Sequence, residues 1–287
     1  MRRKIKIAVA SGKGGTGKTT VALALADAAG AGTLLLDCDV EQPNCHLFLT
    51  AKATEEPVTV LKPRVEEELC NGCGRCLEVC QFNAIALLGK KILLFQDLCH
   101  GCGGCVRVCP RGALREEASR IGEIGIGSTN TLSLIEGRLS IGQSMSPPLI
   151  RAVKEHSMES SGIVITDCPP GTACPMAAAV RDSDFVVLVT EPTPFGLHDL
   201  GLAVDILRLL KLPLGVIINR SDNGDESVQA YCYNKGIPVF FEIPNRREIA
   251  EAYSRGVSLL KAVPELRTEF EQVIKTIEKI SGSEPVK

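Results

Sequence analysis

The tightest constraint lies in residues 4–19. A run of apolar and β-branched residues, Lys-Ile-Lys-Ile-Ala-Val-Ala, passes through a glycine-rich loop into Lys18-Thr19-Thr20 and an Ala/Leu-rich stretch. The loop Gly12-Lys13-Gly14-Gly15-Thr16-Gly17-Lys18-Thr19 has the spacing of a phosphate-binding loop, set between a strand and a helix as that chemistry requires. Its glycines let successive N–H groups point at phosphate oxygens, and the helix N-terminus adds partial positive charge. Lys18 is expected to reach the β and γ phosphates, and the Thr19 hydroxyl to take a place on Mg²⁺. An incidental Gly-rich turn does not need strand, helix and spacing in register together.

The rhythm that follows fixes the fold class. Near-continuous apolar runs predict strands at 4–10, 33–37, 162–166, 185–190, 214–219 and 239–243, with helices at 18–29, 175–181, 197–210, 226–234 and 248–254. Strands alternating with helices in this way imply an α/β fold: a doubly wound, mainly parallel P-loop sheet covered on both faces. Leu266, Phe270, Val273, Ile274 and Ile277 then place a last helix on the sheet. Glutamates interleave with its lysines, so it lacks the cationic face that anionic lipid attracts, and membrane binding is not expected.

Three aspartates fall at strand ends on the side of the sheet where open α/β sites form. Asp37 and Asp39, with Asn44, follow the second strand, and Asp167 ends the strand at 162–166 ahead of Cys-Pro-Pro-Gly171. One such Asp is explained by a helix cap, whereas three suit a metal-nucleotide site, with Asp37 toward Mg²⁺ and Asp167 acting through water. These residues, with Lys13 and Asn219-Arg220, resemble the deviant-Walker-A ATPases of the MinD, ParA and Mrp type. The resemblance implies ATP hydrolysis in a nucleotide-dependent homodimer, or a dimer with a related ATPase. It further implies that Lys13 reaches the partner's ATP, that Asp39 orients the attacking water, and that Asn219 recognises adenine.

From about residue 59 to 118 the texture changes. Eight of the 13 cysteines crowd into this segment, where Cys70-x2-Cys73-x2-Cys76-x3-Cys80 recurs as Cys99-x2-Cys102-x2-Cys105-x3-Cys109-Pro110. Two copies of the bacterial ferredoxin run specify two 4Fe-4S clusters, with the fourth cysteine of each run crossing over. Cluster 1 is then expected on Cys70, Cys73, Cys76 and Cys109, and cluster 2 on Cys99, Cys102, Cys105 and Cys80. Zinc uses separated pairs of ligands rather than three cysteines at successive x2 intervals. Gln81 stands where the motif usually has proline, which affects the local turn and not the ligand.

The expected organisation is a discontinuous P-loop ATPase domain, 1–58 and 119–287, carrying an inserted α+β ferredoxin-like domain at 59–118. Of the other cysteines, Cys38, Cys168 and Cys174 are expected beside the phosphates, while Cys45 and Cys232 have no assigned role. Buried small hydrophobe is the plainer reading for all five.

Composition removes other classes. With 32 Lys+Arg against 34 Asp+Glu, 4% aromatics and no Trp, the chain lacks both a phosphate-neutralising field and a base-stacking platform, so nucleic acid is not an expected partner. The basic Arg2-Arg3-Lys4 precedes too short an apolar run for a secretion signal, which points to a reducing cytoplasm. The sequence reading is thus a MinD-type ATPase coupled to two clusters for electron transfer or redox-dependent regulation, with an unidentified redox partner. Two alternatives stand beside it: a cluster carrier that delivers to an acceptor, and a positioning switch with structural clusters.

Overall fold

Strands this apolar need helices on both faces, and the computed structural model has that layering. It describes residues 4–49, 54–129, 131–159 and 162–282; Arg2 and Arg3 lie outside the described residues. The chain runs β1 (Ile5–Ala10), α1 (Lys18–Ala29), β2 (Thr33–Asp37), β3 (Thr54–Val65), α2 (Arg75–Val79), β4 (Ile85–Leu88) and β5 (Lys91–Leu94). It continues through α3 (Gly104–Val108), β6 (Leu114–Ser128), β7 (Leu132–Leu139), α4 (Pro147–Glu155), β8 (Ile163–Asp167), α5 (Cys174–Val180) and β9 (Phe185–Thr190). The rest is α6 (Pro194–Leu209), β10 (Leu214–Asn219), α7 (Ser227–Lys235), β11 (Val239–Ile243), α8 (Arg247–Ser254), α9 (Leu259–Ala262) and α10 (Arg267–Gly282).

Nine strands form one sheet in the order β11-β10-β9-β1-β8-β2-β7-β6-β3. The first seven are mutually parallel, and β6 and β3 close the edge in antiparallel fashion. Side chains alternate along each buried strand. Ile5, Ile7 and Val9 of β1 pack with α1, α9 and α10, while Ala8 and Ala10 face α4, α5, α6 and α7. The last helix buries Phe270, Val273, Ile274 and Ile277 in the first of these layers, as its spacing predicts.

The six predicted strands all belong to the parallel set, within a residue of their expected bounds. The structure adds β7 to that set, the antiparallel pair β3 and β6, and helix α4. Edge strand β3 pairs on one side only and carries Glu55, Glu56, Pro57, Lys62 and Pro63. Prolines and charges suit an edge because they deny a template to further strands, and they also hide the strand from a hydrophobic pattern search. Residues 54–65 and 114–128 pair as one long antiparallel arm, with an irregularity between Val58 and Thr59. The arm therefore runs through both expected domain boundaries, and the cysteine-rich residues 66–113 sit at its far end. There α2 packs on α3, and β4 pairs with β5 as a separate two-stranded sheet.

Candidate functional site

The phosphate loop joins β1 to α1 at the carboxyl edge of the parallel strands. Gly17 has φ +95° and precedes the first helical residue, Lys18. A Cβ there would fall 2.4 Å from Nδ2 of Asn219, so both the backbone angle and the neighbour require glycine. Asn219, at the end of β10, donates its side-chain N–H to the Thr16 carbonyl at 2.8 Å. Its Oδ1 accepts the Arg220 N–H at 3.0 Å. Asn219 thus braces the loop from a neighbouring strand.

Register brings the acids together. Asp37 and Asp167 are Cα partners on adjacent parallel strands β2 and β8, and both are fully buried. The Asp37 carboxylate accepts N–H bonds from Asp39 (3.1 Å), Asn44 (2.9 Å) and Cys45 (3.0 Å), which curls residues 39–45 around it. Asp167 accepts the Thr19 hydroxyl at 2.6 Å, while its other oxygen is buried without a partner. Burial first, and then the charge of Asp37, push the Asp167 carboxyl up to about 8. Burial likewise raises Asp37 against the pull of its backbone hydrogen bonds. Asp39 is pushed to about 6 by burial and by Asp37, with Lys18 opposing.

Two adjacent buried carboxyls and an orphaned oxygen form an environment that a cation relieves. Ligand atoms of Asp37, Cys45 and Asp167 all lie within 4.8 Å of one another. Above them opens a cavity of about 410 Å³, lined by Gly14, Lys18, Thr19, Asp39 and Asn219 among others. The buried Thr16 hydroxyl is also unpartnered. These donors and acceptors fit a triphosphate with a divalent cation.

Lys13 is held away from the loop glycines by Glu191, which follows β9: Nζ lies 3.2 Å from one carboxylate oxygen, and Arg220 lies 2.5 Å from the other. Sequence reasoning missed Glu191, whose only signal is its place after an apolar strand in Thr-Glu-Pro-Thr-Pro. For Cys38 and Cys168 the plainer reading of buried small hydrophobes holds. Cys38 and Cys168 are wholly buried in the core with α4 and α5, and Cys174 is exposed at the start of α5. Cys45 is the cysteine at the carboxylates, because Asp37 gathers the turn that carries it.

The eight cysteines of the far segment divide between two cavities. One is lined by Cys70, Cys73, Cys76 and Cys109 together with Arg75 and Arg111. The other is lined by Cys80, Cys99, Cys102 and Cys105 with Phe82 and His100. The rings of Phe82 and His100 stack at 3.7 Å. Cys99 accepts the Gly101 N–H at 3.4 Å, and Cys109 accepts that of Ala113 at 3.3 Å. Slight desolvation is the largest single influence on the Cys109 thiol, yet four backbone hydrogen bonds around it, from Arg111 to Leu114, together hold it below its usual value. Burial pushes Cys105 up to about 11 and raises Cys76. Sulfur-lined hollows with N–H groups aimed at sulfur fit thiolate ligation of an iron-sulfur group.

Loop, sheet order and acid pair define the class: a P-loop nucleotide-binding protein. The family described as CobQ/CobB/MinD/ParA nucleotide binding domain matches residues 7–259, and the chain belongs to it; it is a P-loop ATPase. Two relatives come from Methanocaldococcus jannaschii. Uncharacterized protein MJ0578 is 31% identical over 82% of this chain and 85% of its own length, and uncharacterized protein MJ0579 is 30% identical over 85% and 86%. Among solved structures, the Pyrococcus horikoshii septum site-determining protein MinD complexed with Mg-ADP has a TM-score of 0.56 at 19% identity, covering 97% of this chain and 94% of that one. The Pyrococcus furiosus cell division ATPase MinD has a TM-score of 0.58 at 19% identity, covering 95% and 99%. Both likenesses are of fold. No helix among the described residues is long and apolar enough to cross a membrane.

Proposed function

We propose that this chain hydrolyses ATP with Mg²⁺ at the β1–α1 loop, and that this is coupled to two ferredoxin-type 4Fe-4S clusters held by residues 66–113. The observation that carries the reading is the division of eight cysteines into two cavities, each lined by one crossover quartet. A zinc site draws on separated pairs of ligands rather than three cysteines at successive x2 intervals with a fourth from the other run.

At the loop, Lys18 and the backbone N–H groups of residues 14–19 bind and orient phosphate oxygens, with Thr19 and Asp37 and, through water, Asp167 serving the cation. Asp39 positions the water that attacks, and Asn219 and Arg220 hold the nucleoside side. Lys13, once free of Glu191, adds positive charge where phosphoryl transfer builds negative charge, from one copy of the chain to another. When bound, the clusters supply one-electron chemistry. Cys70, Cys73, Cys76 and Cys109 ligate one and Cys99, Cys102, Cys105 and Cys80 the other, with the Gly101 and Ala113 N–H groups directed at sulfur.

The two sites share covalent and polar connections. Asp37 holds the turn Cys45–Phe48, His46 of that turn meets Glu136 of β7 at 2.9 Å, and the chain then enters β3, one arm of the cysteine-bearing hairpin. A shift in the turn when nucleotide changes is thereby passed to the arm.

The test is anaerobic reconstitution followed by EPR with and without Mg-ATP. We expect two reduced signals, at least one of them altered by nucleotide, and a hydrolysis rate that differs between oxidised and reduced protein. Failure to take up iron refutes the clusters. Two clusters indifferent to nucleotide, with a hydrolysis rate indifferent to their oxidation state, refute the coupling.

A further inference from the structure

Along β3 the inward positions are Val58, Val60 and Lys62: the two valines pack against the helix layer of α4, and the third position carries an ammonium group. Lys62 is 4% exposed. Its Nζ donates to the Gln96 carbonyl at 2.8 Å and to Oε1 of Gln143 at 3.0 Å, and it forms no ion pair with a carboxylate of the described residues. An apolar residue would satisfy the strand pattern, and an unpaired buried cation costs free energy, so its presence calls for a compensating anion nearby.

A hollow suited to an anionic group lies next door. Pro63 and Gln96 both line the cavity of Cys80, Cys99, Cys102 and Cys105, and the Gln96 side chain closes a ring by donating to the Pro63 carbonyl at 2.9 Å. Lys62 therefore stands one peptide group behind the wall of that cavity, and no Lys or Arg lines the cavity itself. The other cavity is lined by Arg75 and Arg111, both exposed. Water screens an exposed guanidinium, whereas a buried ammonium acts across a low-dielectric wall.

We propose that Lys62 is a positioning residue for redox chemistry: its buried charge raises the reduction potential of the cluster at Cys80, Cys99, Cys102 and Cys105 and makes the two clusters unequal. The proposal rests on the cluster reading above. Adding an electron to a cluster already negative is favoured by a fixed cation, so the Lys62 side has the greater affinity for the electron. An electron supplied by dithionite to the loaded chain would then reside predominantly on the cluster at Cys80, Cys99, Cys102 and Cys105.

EPR-monitored potentiometry of the reconstituted full chain, with dithionite as reductant, tests this. In Lys62→Met one cluster should fall at least tenfold in its reduced-to-oxidised ratio at fixed potential, about 59 mV for a one-electron couple. The other cluster should stay put, and Lys62→Arg should restore the wild-type value. Cys80→Ser identifies which signal belongs to the Lys62 side. If Lys62→Met takes up no iron, the wild-type chain decides: the difference between its two potentials should survive an increase in salt to 1 M, because a buried charge escapes screening. Equal potentials in the wild type, equal shifts of both clusters, or a difference abolished by salt overturns the proposal. Absence of iron from the wild-type chain refutes instead the cluster reading on which it rests.

Discussion

The two ends of this molecule are stabilised by different means. At the phosphate loop, side chains are positioned by a seven-stranded parallel sheet with an apolar layer on each face, and Asp37 and Asp167 meet because β2 and β8 are in register. At the cysteine end the buried apolar cluster consists of Cys76, Ile85, Cys105 and Leu114. Two of those four are proposed ligands, so the segment has little core apart from its proposed ligand set. A site carried on a large core stands by itself, whereas one whose core is its own ligand set folds with its cofactor.

Cofactor removal should break the comparison open most widely. With iron stripped by chelation, hydrogen exchange over residues 66–113 should lose protection altogether while β1, β8 and β9 keep theirs. Uniform loss across the sheet would mean that the two regions fold as one unit. Next in size, Lys18→Ala should lower kcat by roughly 10²–10³-fold, as loss of a charge-stabilising donor does, with iron content unchanged on chemical assay. Iron loss in that variant would join the two ends more tightly than the arm of β3 and β6 suggests.

Legibility in the sequence follows the same division. Strands buried on both faces betray themselves by continuous apolar runs, so β9 and β10 lie at their predicted bounds. Strand β3 is an edge with Pro57 and Pro63, and β6 mixes Glu, Arg and Gly; neither shows a buried face in its residues. The grouping of the eight cysteines was readable from spacing, since each hollow is lined by one of the expected quartets. Lys62 was not, since its meaning depends on Gln96 and Gln143, which only the folded chain brings near. Nor was Cys45, whose place depends on the curl of the backbone around Asp37.

A pH scan sharpens the contrast from the nucleotide side. A carboxyl raised in the folded state keeps its proton where the unfolded chain has lost it. Its contribution to stability is complete below the unfolded value, near 3.9, and disappears as pH climbs through the folded value of about 8 at Asp167. The Tm of nucleotide-free protein should therefore fall between pH 4 and pH 8. Asp167→Asn, which cannot titrate, should flatten that slope in differential scanning calorimetry; an unchanged slope would show that the acid pair is not its source.

The smallest effect concerns Glu191, which grips Lys13 and Arg220 at once. The pairs are partly exposed, so each is worth about 0.2–1 kcal/mol, and 1 kcal/mol corresponds to roughly a fivefold change in an equilibrium. If Lys13 must leave Glu191 before it can serve a second copy of the chain, Glu191→Gln lowers the cost of release. The ATP-dependent dimer that the family resemblance implies should then form at a concentration up to about fivefold lower, measured by sedimentation. Iron content and both cluster potentials should not move, because the contact lies among α1, β9 and β10, away from β3 and β6. Weaker dimerisation in the variant would mean that Glu191 instead holds Lys13 in its working position, and the contact would then belong to the assembled site.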